Sequence, residues 1–169
     1  TARAGNVIGG GDFSPHRIIP DCVRSVLNKE AVEIRNPRST RPYQHVLEAL
    51  SAYLLIVEKQ GKDCGFSGNY NVGPFDSDNV STGEIVKIFG DNWGSDFKWK
   101  IHEEEGGKHE ANLLSLDCSK IRRVLGWSPK WSATEAVSQV CKWTRVWINE
   151  EDVNEEMTRE INQYFGEPQ

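Results

Sequence analysis

Three arginines, Arg35, Arg38 and Arg41, lie in the run Arg35-Asn-Pro-Arg-Ser-Thr-Arg-Pro-Tyr-Gln-His45, the most basic local stretch of the chain. A guanidinium fork matches a phosphate bidentately and keeps its charge at any relevant pH, so an anionic ligand would be held here. Arg41 is the first candidate; a solvated loop arginine paired with one of the many carboxylates is the other reading. Asn6 stands near the end of the opening strand, where its amide suits a ligand at the carboxyl edge of a sheet, or else a local turn hydrogen bond. The Gly9-Gly10-Gly11 turn either lets backbone approach a phosphate closely or only carries strand into loop. Gly5, Gly9, Gly10 and Gly11 do not have G-x-G-x-x-G spacing. His45 and His109, the latter beside Glu110, have no second His or Cys at metal-ligand spacing, so no metal is expected. No nucleophile stands beside a base, and no catalytic residue is assigned.

The elements that must position these residues alternate. Thr1 to Ile8 reads as a strand, and Ile18, Ile19, Cys22, Val23, Val26 and Leu27 recur at helical spacing, predicting a helix over 19–28 with Pro20 in its first turn. Ala31 to Arg35 alternates as a strand and stops at Asn36-Pro37. Val46, Leu47, Leu50, Leu54 and Val57 predict the apolar stripe of a helix that ends near Gly61, with Glu48 and Glu58 off the stripe. Tyr70 to Pro74 is a short strand whose expected neighbour is the opening strand. Ser81 with Glu84 and Ser132 with Glu135 are capping boxes that open helices. Between them, Phe97 to Ile101 reads as an edge strand and Leu113 to Leu116 as another short strand, and Asp117 caps a helix closed by Gly126. Trp127, Trp131, Trp143 and Trp147 read as packing residues. A last acidic amphipathic helix, 153–164, reads as a surface addition. Strands alternating with helices predict an α/β fold.

Length and composition bound the function classes. The 169 residues, 37% of them apolar, fit one domain or part of a larger one. The net charge of −5 has no basic stripe, which argues against nucleic acid. The cysteines Cys22, Cys64, Cys118 and Cys141 are scattered, as reduced thiols of a cytoplasmic protein would be, and no apolar run reaches the roughly 20 residues of a membrane span.

The runs ARAGNVIGGGD, RIIPD, IRNP, RPYQHVLEALSAYLL, YNVGP and HEANLLSLDCSKIRRVLGWSPKW follow one another in this order. Over about residues 2–148 they resemble the carboxyl-terminal half of the CDP-glucose 4,6-dehydratases. These are extended short-chain dehydrogenase/reductases within the sugar-nucleotide dehydratase and epimerase superfamily. The resemblance implies the last Rossmann elements, about 1–30 and 44–74, joined to a small mixed substrate-binding domain. An NAD-binding amino-terminal half would lie outside this chain. In the whole enzyme NAD accepts a hydride from the glucose unit and returns it after loss of water, with the tyrosine of a Y-x-x-x-K pair as base. Residues four after Tyr43, Tyr53, Tyr70 and Tyr164 are Leu47, Val57, Pro74 and Pro168, so the pair is absent from these residues, as is the dinucleotide fingerprint.

On the substrate side, the resemblance assigns Asn6 and Arg41 to the diphosphate, and Ile19 and Pro20 to the nucleotide wall. Ile34 and Arg35 fall beside the base, and His109 and Glu110 in a loop over the sugar nucleotide. Val7 and Ile8 would lie near the nicotinamide end of NAD. The expected partners are CDP-glucose or a related nucleotide sugar, the missing amino-terminal half and a second copy in a homo-oligomer. A stand-alone nucleotide-sugar-binding or self-association module, and part of a related CDP-sugar epimerase, are the alternatives.

Overall fold

A computed structural model describes residues 1–101 and 113–166. In chain order, β1 (Ala2–Ala4) and β2 (Asn6–Ile8) lead to α1 (Ile18–Asn28), β3 (Ala31–Ile34), β4 (Thr40–Arg41), β5 (Tyr43–His45) and α2 (Val46–Lys62). Then come β6 (Tyr70–Val72), β7 (Val80–Ser81), α3 (Thr82–Trp93), β8 (Lys98–Ile101), α4 (Ser119–Leu125), α5 (Ala133–Ile148) and α6 (Val153–Phe165). The α/β expectation holds.

The opening stretch is one extended segment shared between two partners. β1 pairs in parallel with β6, as the sequence predicts, whereas β2 pairs in parallel with β5. Gly5 lies between them because a Cβ there would come within 2.4 Å of the Pro42 carbonyl oxygen, which accepts the Asn6 N–H. Gln44 ties the two pairs together by donating from Nε2 to the Val72 carbonyl at 3.0 Å. β3 pairs in parallel with β8, and β4 pairs antiparallel with β7.

Two main cores result. Ile8, Ile34, Ile85, Phe89, Val137 and Val140 fill the space among β2, β3, α1, α3 and α5. Ala52, Ile56, Tyr70, Val72, Ile121 and Trp127 join α2 to β6 and α4. Each full burial of a large aliphatic or aromatic side chain contributes about 1.5–3 kcal/mol. Both capping boxes form, with Ser81 and Ser132 accepting from the N–H groups of Glu84 and Glu135. Gly126 closes α4 in the left-handed conformation.

Several expectations are corrected. The stripe on α2 is turned: Leu50, Leu54 and Val57 are exposed, and Glu48 is fully buried. Glu48 can be buried because its carboxylate accepts from the N–H groups of Lys130 (2.9 Å) and Trp131 (2.7 Å) and from the Tyr164 hydroxyl (2.7 Å). α2 runs through Gly61, with Asp63 at its C-cap. Cys118, not Asp117, is the N-cap of α4, although the Asp117 carboxylate still accepts the Ser119 N–H. Of 113–116, only Leu113 makes a bridge, to Thr40. α6 is no surface addition, since Glu156, Glu160 and Tyr164 are buried and Lys130 Nζ donates to the Tyr164 carbonyl. Among the tryptophans, Trp127, Trp131 and Trp143 are buried, and Trp147 stacks on Trp143 at the surface. The four cysteines are unpaired. Among the described residues, no helix is long and apolar enough to cross a membrane.

Candidate functional site

The two-residue strand β4 and the start of β5 carry the basic run past the end of β2 and the first turn of α1. Side chains on extended backbone alternate between faces, so Ser39, Arg41 and Tyr43 fall on one side. All three line a cavity of about 250 Å³, whose other walls include Asn6, Ile8, Ile19 and Pro20. Thr40, on the opposite face, lines a different depression with Asn79 and Leu113. Pro20 serves the cavity and the helix together, because a first-turn residue needs no N–H partner inside the helix.

The charge of this cavity is one-sided. Arg17 and Arg41 line it, and its described lining residues include no carboxylate. Arg17 is fixed by donating to the Val7 carbonyl at 2.7 Å and by an ion pair with Asp12 at 2.7 Å. Arg41 donates from Nη1 to the Thr40 carbonyl at 3.0 Å. Two guanidinium groups and the amide of Asn6 around one small volume favour an anion with several acceptor oxygens.

A second cavity, of about 460 Å³, adjoins the first through His16, Ile18 and Thr82, which line both. Ile34 and Arg35 line this one, with Asn36 and Asp21. Its acids already have partners: Asp21 pairs with Arg24, and Glu33 with Lys100. His16 sits at the junction with φ 62, a left-handed backbone that a side chain rarely adopts. The paired cavities thus offer an anion-favouring end and a larger, mixed end with an apolar wall.

The structure therefore brings Asn6, Ile8, Ile19, Pro20 and Arg41 together in one cavity, and Ile34 with Arg35 in its neighbour. Val7 lines neither and offers its carbonyl to Arg17 instead. His109 and Glu110 lie outside the described residues. Sequence reading missed His16, Arg17, Ser39, Tyr43 and Thr82. The alternation of Ser39, Arg41 and Tyr43 was a signal that could have found two of them.

A Cβ on Gly10 would lie 2.2 Å from the Trp143 ring, so the close approach that glycine permits is made to α5. Ile8 lies in the wall of the anion-favouring cavity, and the Val7 carbonyl is engaged by Arg17.

No family model matches the chain. Over 167 residues, 98% of its length, the chain is 44% identical to CDP-glucose 4,6-dehydratase of Salmonella typhimurium. The chain is homologous to part of CDP-glucose 4,6-dehydratase. It spans about half the length of that relative, 46%. Among solved structures, UDP-glucose-4-epimerase from Stenotrophomonas maltophila, with bound NAD and formylated UDP-arabinopyranose, matches at a TM-score of 0.75 and 20% identity. That match covers 89% of this chain and 48% of the epimerase. UDP-glucuronic acid 4-epimerase from Bacillus cereus, in complex with UDP-glucuronic acid and NAD, matches at 0.71 and 16%, covering 86% and 45%. These likenesses show the fold, that of a portion of the extended short-chain dehydrogenase/reductases.

Proposed function

We propose that this chain supplies the nucleotide-sugar-binding part of a CDP-glucose 4,6-dehydratase, a cytoplasmic lyase that removes water from CDP-glucose to give CDP-4-keto-6-deoxyglucose. The observation that carries this reading is the meeting of Asn6, Arg41, Ile19 and Pro20 in one cavity with no carboxylate among its described lining residues. It is supported by 44% identity to a dehydratase of that substrate. Arg41 and Arg17 hold the diphosphate, Asn6 donates its amide beside them, and the adjoining cavity at Ile34 and Arg35 receives the nucleoside. NAD, where the complete enzyme binds it, supplies the hydride acceptor and donor. In this reading the residues of this chain bind and orient the sugar nucleotide and do not move the reacting proton.

Calorimetric titration of the 169-residue chain with CDP-glucose, with UDP-glucose and NAD as controls, tests the proposal. Saturable binding of CDP-glucose with no response to NAD is expected. A folded chain that fails to bind CDP-glucose refutes the reading.

A further inference from the structure

Ser39 is 4% exposed, and its hydroxyl has no hydrogen-bond partner among the described residues. Its backbone has little freedom to move. The Ser39 N–H donates to the Asn36 carbonyl at 3.1 Å, and the Ser39 carbonyl accepts from Thr82 N–H at 2.9 Å and Thr82 Oγ1 at 3.1 Å. A buried hydroxyl without a partner is unfavourable, because it has given up water and received nothing in return. Such groups persist where something outside the folded chain completes them. Ser39 lines the anion-favouring cavity, two residues from Arg41 on the same face of the extended strand.

We propose that the Ser39 hydroxyl donates a hydrogen bond to the diphosphate of the bound nucleotide sugar, beside the Arg41 guanidinium. This rests on the function proposed above and adds a neutral donor that neither the sequence pattern nor the charge distribution identified. A hydroxyl is suited to the position because its proton rotates to meet an acceptor, while the pinned backbone keeps the oxygen in place. Arg41 supplies charge, and Ser39 supplies a small, directed donor beside it. The polar atom left open in the ligand-free fold is closed when the ligand arrives.

The test is calorimetric titration of wild-type and Ser39→Ala chains with CDP-glucose and with CDP, alongside their thermal unfolding. Ser39→Ala is expected to weaken both ligands by the same factor, about tenfold or more, as loss of a hydrogen bond to a charged group does. Its Tm should equal or exceed that of wild type, since only an unpartnered hydroxyl is removed. Unchanged affinity in Ser39→Ala, with wild-type binding intact and Arg41→Ala impaired, overturns this inference and leaves the proposed function standing. Loss confined to CDP-glucose moves the hydroxyl to the sugar and overturns the diphosphate assignment. A lowered Tm with unchanged affinity makes the hydroxyl a structural water ligand and also overturns it. Absence of CDP-glucose binding by the folded wild-type chain overturns both.

Discussion

Two polar regions flank the same short stretch of backbone, residues 39–48, and they are built on opposite rules. At one end, under α6, the Glu48 carboxylate collects three donors. Tyr164 adds a hydroxyl shared with Ser51, which also accepts from Trp127 Nε1 at 3.0 Å. At the other end, Ser39 and Arg41 line a cavity, and the Ser39 hydroxyl is left open. Polar groups completed from within hold the fold; polar groups completed from outside hold a ligand. The contrast separates two kinds of buried polarity that composition alone would score alike.

The largest effect should come from the closed side. Glu48→Ala leaves two backbone N–H groups and a tyrosine hydroxyl without their acceptor, and is expected to destabilise the chain by about 3–5 kcal/mol in urea unfolding. A loss below about 1 kcal/mol would erase the distinction drawn here. On the open side, Arg41→Ala should cost about 1.5–3 kcal/mol of CDP-glucose affinity in calorimetry with little change in unfolding midpoint. An equal loss of stability would make Arg41 a structural residue. Tyr164→Phe sharpens the closed side further. It should cost about 1 kcal/mol in unfolding and leave CDP-glucose affinity as it was.

The last effect is a dependence on pH that belongs to the folded interior and is small near neutrality. Burial pushes the Cys141 thiol from 9.0 up to about 12, raises Cys22 further, and raises the Tyr164 hydroxyl above its ordinary 10.0. The unfolded chain therefore releases these protons from about pH 9 upward while the folded chain keeps them. Stability should be complete below pH 9 and fall as pH rises toward 12. Urea midpoints measured across that range should be flatter in Cys141→Ala.

Local chemistry was legible where the signal is local. The capping boxes at Ser81 and Ser132, the helix opened near Pro20 and the glycine that ends α4 all follow from residues within one turn of the event. Asn6 and Arg41 were read from their types as candidates beside blander alternatives, and the Ile19-Pro20 pair from the family resemblance; all four line one cavity. What could not be read is what distant segments decide. Glu48 looks solvated until Lys130, Trp131 and Tyr164 arrive to satisfy it, and Gly10 looks like a phosphate turn until Trp143 packs on it. Ser39 was passed over because its alternation with Arg41 and Tyr43 is a weak signal until burial is known. Its significance comes from being buried without a partner.

The divided opening segment sets the order in which the chain can assemble. β1 waits for residues 70–72 and β2 for residues 43–45, so neither end of this segment can settle when it is first made. Parallel pairing across such separations pays its loop-closure entropy before any contact compensates. During synthesis the apolar residues of β2 are therefore unprotected until β5 has followed. Refolding should be slow for a chain of this size, and most prone to aggregate in the interval before β6 closes on β1.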